Sequence, residues 1–184
     1  MGRIVVFFGL IASGKSTLAE KFGADLHALY LNTDRVRKQL AGIEVTQHMP
    51  DDVGQGIYTP EFTERTYATM LKRAAERLSR GEQVVLDGSY SRRADRAAVI
   101  ACGRERHADV RFILCFCSDT EVKRRLALRA LDAEAVSDGR WDIYLHQKET
   151  FEPPDELTAD QLLRLNTEDT PVRLSARIHQ WLKL

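Results

Sequence analysis

The sequence predicts an α/β fold in which helices cover both faces of a five-stranded parallel sheet. Two observations carry this prediction. Short apolar runs alternate with amphipathic stretches of helical period along the whole chain. In addition, the segment "GLIASGKST" (Gly9–Thr17) follows the first apolar run directly and leads into a helical pattern. A chain of 184 residues suits one domain with a full core, so we expect a single domain over residues 1–184.

The predicted strands are apolar runs bounded by turn residues: Ile4–Phe8, Ala28–Asn32, Gln83–Asp87, Val110–Cys117 and Leu162–Asn166. The predicted helices are the amphipathic stretches between and after them: Lys15–Phe22, Asp34–Leu40, Pro60–Arg80, Arg92–Arg106, Thr120–Ala130, Trp141–Phe151 and Pro171–Leu184. Two helix starts are marked most clearly, because Thr-Pro pairs place a capping Thr before a Pro at the first helical position.

The overall composition excludes several classes of protein. Lys plus Arg and Asp plus Glu both number 27, so the chain lacks the basic excess of a nonspecific nucleic-acid binder. No apolar run approaches the roughly 20 residues of a membrane helix, and the N-terminus does not resemble a signal peptide. The three cysteines lack the spacing of a zinc site. We therefore expect a cytoplasmic protein without a membrane partner.

The first motif is a phosphate-binding loop of the pattern G-x-x-x-x-G-K-[ST]. Its backbone N–H groups can surround a phosphate chain, and the following helix directs its positive dipole end at the same anion. Lys15 would reach the terminal phosphates, and the Ser16 hydroxyl would bind Mg²⁺. The alternative is a glycine turn with a chance GKS. The motif predicts the three-layer fold of P-loop NTPases and contacts to ATP from Gly9, Ala12, Ser13, Gly14, Lys15, Ser16 and Thr17.

The third predicted strand, "VVLDG", narrows the class of P-loop protein. Asp87 ends this strand and is a candidate second carboxylate for Mg²⁺ or its waters. Gly88 follows it, whereas motor-type ATPases usually have a Glu there to activate water. The D-x-x-G and N-K-x-D patterns of a GTPase are not found in the required strand context. A small-molecule kinase and a binding module without chemistry remain.

The second predicted strand favours the kinase. The stretch "LYLNTDRVRKQL" places Asp34 and Arg37 at the opening of the next helix, at a strand tip that we expect to neighbour the phosphate loop. An Asp there can accept the proton of an attacking hydroxyl, as the base does in phosphoryl transfer. The alternative is that Asp34 only caps the helix or favours its N-terminus. Capping does not explain Arg37, which lies one turn later on the same face.

Arg125 and Arg129 lie four residues apart on one helical face, just before a long polar segment. Arginine binds phosphate in bidentate fashion and keeps its charge. We predict that these arginines belong to a lid, over about residues 124–142, that closes over ATP and excludes water. The alternative is that they are ordinary surface charges.

The acceptor site is predicted from a second long polar segment, over about residues 42–60. Long connections in compact domains are commonly functional, and this one follows the strand tip that bears Asp34. The predicted acceptor-binding residues are Asp34, Arg37, Tyr58, Asp87, Ser89 and Arg92. Asp51 and Asp52 would repel a polyanion, which favours a nucleoside, sugar or antibiotic-like hydroxyl over nucleic acid.

Six stretches together resemble a known family: "GLIASGKSTLA", "LNTDRVRKQL", "YTPEFTERTY", "VVLDGSYSRR", "RRLALRA" and "SDGRWDIY". The chain resembles P-loop kinases of the group that contains gluconate and shikimate kinases, polynucleotide 5′-kinase, zeta toxins and chloramphenicol phosphotransferase. It is most similar to uncharacterised bacterial ATP-binding kinase-like proteins that are often fused to an aminoglycoside-phosphotransferase-like domain. The loop of this family usually has Pro-Gly where this chain has Ile11-Ala12.

The resemblance implies a role for each matching residue. Lys15 and Ser16 correspond to the ATP and Mg²⁺ ligands, and Asp34 corresponds to the catalytic carboxylate. In polynucleotide-kinase-like members, the residue matching Arg37 holds the acceptor. The remaining matches are Asp87 as the carboxylate that ends the third strand, Arg125 and Arg129 as lid arginines, and Thr167 and Pro171 near adenine.

The expected function is therefore an ATP- and Mg²⁺-dependent phosphotransferase that acts on a small-molecule hydroxyl. Its expected catalytic residues are Lys15, Asp34, Arg125 and Arg129. Two alternatives remain: a nucleotide-binding accessory module without an efficient acceptor reaction, and a kinase for the 5′-hydroxyl end of a polynucleotide, the one role we expect nucleic acid to have.

Overall fold

A computed structural model describes residues 2–44, 56–131 and 140–184. Its five strands form one parallel sheet in the order β2-β3-β1-β4-β5. The strands are β1 (Arg3–Phe8), β2 (Leu29–Asn32), β3 (Gln83–Gly88), β4 (Asp109–Phe116) and β5 (Leu162–Asn166). The sheet thus confirms the predicted fold class, and its central strand β1 is buried because it lies between β3 and β4.

The helices are α1 (Lys15–Asp25), α2 (Thr33–Ala41), α3 (Pro60–Leu78), α4 (Arg93–Glu105), α5 (Asp119–Arg129), α6 (Trp141–Thr150) and α7 (Pro171–Leu182). Every predicted strand and helix is present, and the ends differ from the predictions by three residues or fewer. A short 3-10 helix at Gly56–Tyr58 was not predicted. Both Thr-Pro starts behave as expected, since Thr59 accepts from the Phe62 N–H and Thr170 from the Arg173 N–H.

The helices form two layers on the sheet and a third group beside the loop that follows β1. On one face, α1 and α7 pack against apolar side chains of β1, β3, β4 and β5. On the other face, α2, α3 and α4 cover a second apolar cluster. The helices α5 and α6 instead pack against the loop that follows β1, through Val122, Leu126 and Tyr144.

A buried arginine that the sequence analysis missed fixes the segment after α6. Arg96 on α4 is fully buried, and its Nε donates to Glu156 Oε1 over 2.5 Å. The same guanidinium donates to the carbonyl oxygens of Tyr90, Ser91 and Pro153. A buried charge is tolerated only when it is paired and hydrogen bonded in this way. The Arg96 guanidinium thus ties the segment after α6 to the connection between β3 and α4.

No helix in the three described parts of the chain is both long enough and apolar enough to cross a membrane. Residues 45–55 of the predicted acceptor segment and residues 132–139 of the predicted lid lie outside the described residues. The single domain over 1–184, the extents of these two segments and the cytoplasmic location stay predictions.

Candidate active site

The loop between β1 and α1 has the backbone of a phosphate-binding loop. Three of its residues have positive φ: Gly9 at 136°, Ala12 at 58° and Gly14 at 85°. The first turn of α1 carries Lys15, Ser16 and Thr17, and no acidic side chain competes there for the free N–H groups of the helix. Those N–H groups and the helix dipole make the loop a site for an anion. Lys15 is half-buried, and its Nζ donates to the Leu10 carbonyl across the loop over 3.2 Å.

Gly9 must be glycine because the loop leaves β1 against the backbone of β4. A Cβ atom at this position would collide with the Cys115 carbonyl oxygen, and the φ of 136° is unfavourable for any other residue. We expect Gly9→Ala to lower the free energy of unfolding by about 2–4 kcal/mol, the sum of overpacking and backbone strain. Denaturant unfolding measures this loss. Gly42→Ala, also at positive φ but with open space around its Cβ, is the control and should cost less.

Asp87 lies at the end of β3, fully buried on the same face of the sheet as Val85 and α1. Its Oδ2 accepts hydrogen bonds from the Tyr30 hydroxyl over 2.7 Å and from the Asn32 amide over 2.6 Å. Burial and the neighbouring Asp87 carboxylate raise the pKa of Tyr30, so its hydroxyl stays a donor at neutral pH. Oδ1 of Asp87 has no hydrogen-bond partner in the described part of the chain.

These oxygen atoms suit a magnesium ion. Among the described residues, no three Asp, Glu, His or Cys side chains form a metal-binding cluster. Magnesium does not require one, because it is usually bound by one or two protein oxygens, water and substrate phosphates. The Ser16 hydroxyl at the start of α1 and the unpartnered Oδ1 of Asp87 supply oxygens of this kind. Both predicted metal ligands therefore offer oxygens of the kind that magnesium binds, and their joint role stays a prediction.

Asp34 is not the cap of its helix. Asn32 caps α2, and its Oδ1 accepts from the Arg35 N–H over 3.0 Å. The Asp34 carboxylate instead accepts from Arg37 Nη1 over 3.0 Å. Asp34 therefore does not cap the helix, although its carboxylate lies in the first turn of α2, where negative charge favours the helix N-terminus.

Arg37 contacts two of the other predicted acceptor-binding residues, Asp34 and Tyr58. Besides its bond to Asp34, Arg37 donates to Thr63 Oγ1 over 3.4 Å, and its guanidinium lies 5.0 Å from the centre of the Tyr58 ring. Arg37 is buried, and its Nε has no hydrogen-bond partner among the residues described. The arrangement holds a cationic donor group beside the Asp34 carboxylate.

The strand order changes how Asp34 relates to the phosphate loop. We expected the tip of β2 to neighbour this loop, but β3 lies between β2 and β1. The end of β3 bridges the gap: a Cβ on Gly88 would lie 2.6 Å from the Thr33 Cγ2 atom of α2. On the other side, the Gly9 N–H of the phosphate loop donates to the Ser89 carbonyl over 3.4 Å. Gly88 and Ser89 thus lie between α2, which carries Asp34, and the phosphate loop.

Tyr67, a residue that the sequence analysis missed, supports Ser89. Tyr67 on α3 accepts from the Tyr90 N–H over 3.1 Å, and its hydroxyl lies 3.2 Å from Ser89 Oγ. Burial raises the pKa of Tyr67 and of Tyr90, so both phenols are protonated. Tyr67 belongs to the apolar stripe of α3 with Met70 and Ala74, and a tyrosine on such a stripe is expected to need a buried partner for its hydroxyl.

Arg92 is the residue before α4, and its guanidinium is oriented by acidic neighbours. It binds Asp95 through two hydrogen bonds of 3.0 and 2.8 Å, and it lies 3.8 Å from Glu64. Its side chain keeps 41% of its accessible surface, so it can still contact a ligand. Arg92 and Arg37 both interact electrostatically with Tyr67.

Arg125 lies between the phosphate loop and the loop that follows β5. Its Nη1 donates to the Ala12 carbonyl over 3.1 Å, and its Nη2 donates to the Thr167 carbonyl over 2.8 Å. Thr167 Oγ1 in turn donates to the Ser13 carbonyl over 2.6 Å. Hydrogen bonds from Arg124 and Arg125 hold the pKa of Glu121 at about 2, so this carboxylate stays charged and orients Arg125.

Arg129 and Pro171, the other two residues predicted to lie near the nucleotide here, make no such contact with the phosphate loop among the described residues. Arg129 is half-buried one turn beyond Arg125, at the last residue of α5. Pro171 is exposed at the first position of α7, four residues after Thr167. Thr167 therefore makes the contact with the phosphate loop, and Arg129 lies at the border of residues 132–139.

The architecture is that of a P-loop NTPase domain. Residues 4–154 match the AAA domain family AAA_33, and since this is more than half of the chain, the protein belongs to that family.

Solved structures with this fold include several kinases that act on small molecules. An unliganded sugar kinase from Janibacter sp. HTCC2649 has a TM-score of 0.70 at 19% identity, and the alignment covers 100% of this chain and 95% of the sugar kinase. A gluconokinase from Sinorhizobium meliloti 1021 has a TM-score of 0.66 at 19% identity, with 99% and 91% covered. The APS kinase of Mycobacterium tuberculosis has a TM-score of 0.67 at 19% identity, with 100% and 98% covered. At identities this low, the structural similarity shows a shared fold and nothing more.

Curated relatives include uncharacterized proteins of Mycobacterium tuberculosis strain H37Rv and Mycobacterium bovis, each 27% identical over 128 residues. The aligned region is 70% of this chain and 26% of each relative, so the chain spans about a quarter of the length of these relatives. Fusion to an aminoglycoside-phosphotransferase-like domain stays a prediction.

Proposed function

We propose that this protein transfers the γ-phosphoryl group of ATP to a hydroxyl of a small molecule, such as a nucleoside, sugar or antibiotic-like compound. The observation that carries the proposal is the Asp34–Arg37 pair. The Asp34 carboxylate does not cap the helix and instead pairs with Arg37. Both residues are on α2, which packs against the end of β3, and this end of β3 leads to the phosphate loop. A module that only bound nucleotide would need neither residue.

The proposed reaction assigns one task to each group. Asp34 accepts the proton of the acceptor hydroxyl as its oxygen bonds to the γ-phosphorus and the bond to the β–γ bridging oxygen breaks, which releases ADP. Lys15 and the loop N–H groups stabilise the charge that develops on the phosphates. Magnesium, held by Ser16 and by Asp87 directly or through water, would neutralise phosphate charge. Arg37, Tyr58, Ser89 and Arg92 would hold the acceptor. Arg125 and Arg129 would stabilise charge on the transferring group, and Thr167 and Pro171 would lie near the nucleobase.

Two of the kinases with this fold support the choice of acceptor class. The sugar kinase and the gluconokinase are named for small polyhydroxylated substrates, and the APS kinase structure is a complex with AMPPNP and APS. The same fold thus serves small acceptors, which agrees with the balanced charge of this chain.

The experiment is a transfer assay with labelled ATP over pooled nucleosides, sugars, aminoglycosides and 5′-hydroxyl oligonucleotides. We expect labelled product with a small-molecule pool and no label on the oligonucleotides. ATP binding without transfer to any pool would favour the accessory module, and label on the oligonucleotides would favour a polynucleotide kinase.

Lys15→Ala is the matched negative variant for this assay. Lys15 is half-buried at the loop and contributes a charge-assisted contact rather than core packing. We expect its loss to weaken Mg·ATP binding by about ten- to a hundredfold, the range of one charged hydrogen bond, and to stop turnover. Isothermal titration measures the affinity, and thermal unfolding checks the fold. Wild-type affinity in this variant would contradict the phosphate-binding role of the loop.

A further inference from the structure

The residue pair Ile11–Ala12 of the phosphate loop is held from both sides by α5 and α6. The Ile11 N–H donates to Gln147 Oε1 on α6 over 2.9 Å. The Ala12 carbonyl accepts from Arg125 Nη1 on α5 over 3.1 Å. The side chains of Ile11 and Ala12 are both buried and pack against Tyr144 and its neighbours on the two helices. The two helices therefore hold opposite polar ends of the same dipeptide.

This dipeptide needs such support. Ala12 has a φ of 58°, in the left-handed region that L residues other than glycine seldom adopt. A strained conformation of this kind persists only where the surrounding contacts determine it. The peptide between Ile11 and Ala12 also carries the Ala12 N–H, which begins the run of amides leading into Gly14 and α1. Its orientation decides whether those amides face the phosphates together.

The Ile11 N–H requires a hydrogen-bond acceptor, whereas a proline at this position would not. Ile11 is only 8% exposed and its N–H forms a part-buried hydrogen bond, so the loss of the acceptor would cost free energy. Proline has no N–H, so a loop with Pro there needs no partner. With Ile at this position, the loop requires an acceptor from elsewhere, and the Gln147 side chain supplies it.

Gln147 is on a helix that is itself anchored. The Tyr144 hydroxyl donates to Asp119 Oδ1 over 2.7 Å, and Lys148 Nζ donates to both Asp119 carboxylate oxygens over 2.8 Å. Asp119 is the first residue of α5, so α6 is attached to α5 on either side of Gln147 in sequence. The acceptor for the Ile11 N–H is therefore fixed in space.

We propose that Gln147 is a positioning residue that keeps the phosphate loop in its nucleotide-binding conformation. It acts through the Ile11 N–H and does not contact the nucleotide. Without this bond, the loop would populate conformations in which the N–H reaches water, and only the remaining fraction would bind phosphate. The inference rests on the nucleotide site of the proposed function, and it holds whatever the acceptor is.

The first test is Gln147→Met, which keeps the length and packing of the side chain and removes the acceptor. At a temperature where both proteins are fully folded, we expect the Kd for Mg·ATP to rise about tenfold, the usual effect of one unsatisfied buried N–H. Hydrogen exchange at the Ile11 amide should become faster. Glu149→Ala, an exposed change two residues along the same helix, is the control and should alter neither quantity.

The second test is rescue. Ile11→Pro removes the N–H that Gln147 satisfies, so adding Gln147→Met to this variant should change the Kd by less than about twofold. A merely structural role for Gln147 predicts instead the same loss in both backgrounds, and that result would overturn the proposal. The proposal would also be overturned if Gln147→Met alone changed neither the Kd for Mg·ATP nor the hydrogen exchange of the Ile11 amide. This second criterion holds even if Ile11→Pro does not fold. If the wild-type protein did not bind Mg·ATP, the proposed function itself would fail.

Discussion

Asp34→Asn is expected to lower phosphoryl transfer by about 10²–10⁴-fold while Mg·ATP binding is kept, because a positioned general base contributes this much to the rate. The amide is nearly the same size as the carboxylate, and its oxygen can still accept from Arg37. Lys15, Ser16 and the loop amides are untouched. The measurement is a pair: nucleotide affinity by titration and the transfer rate to the acceptor that the assay identifies.

The control for Asp34 is Glu61→Gln on α3. Glu61 is the second residue of a helix capped by Thr59, as Asp34 is the second residue of a helix capped by Asn32. Both carboxylates interact equally with a helix dipole, so this control removes the effect of first-turn charge on stability. Transfer that stays within about threefold of wild type in Asp34→Asn would remove Asp34 from the mechanism and favour the accessory module.

The second large effect is expected at Arg129. If it stabilises charge on the transferring group, Arg129→Ala should lower kcat by about 10³-fold or more with little change in KM for ATP, as for arginines of this role in related enzymes. Arg125→Ala should lower kcat and raise KM for ATP, because it also removes the contacts to Ala12 and Thr167. Steady-state kinetics with varied ATP separates the two patterns.

Arg124→Ala is the matched control for this pair. Arg124 is exposed on the same helix and binds the same Glu121, yet it makes none of the contacts to the phosphate loop. We expect its removal to change kcat by less than about threefold. If Arg129→Ala behaved like Arg124→Ala, Arg129 would be an ordinary surface charge and the lid would need another cation.

The sequence by itself determined the fold class and the phosphate loop, because both depend on local patterns. Apolar runs alternating with amphipathic stretches require strands and helices in turn, and burial of both kinds of surface produces a parallel sheet with helices on each face. The loop motif fixes Lys15 and Ser16 by chain position alone, since they are the first residues of the helix that follows β1. The Thr-Pro pairs marked two helix starts for the same reason.

Only the tertiary structure decided which side chains act together, because those contacts join residues far apart in sequence. The Asp87 carboxylate is oriented by Tyr30 and Asn32, and Ser89 is supported by Tyr67. Asn32 takes the capping role that the sequence left open for Asp34, a choice that depends on backbone conformation at the end of β2. Gln147 reaches Ile11 across 136 positions of sequence, and no local pattern marks a polar helix residue as the partner of a buried N–H. Strand order, set by packing of the whole sheet, placed β3 between Asp34 and the phosphate loop.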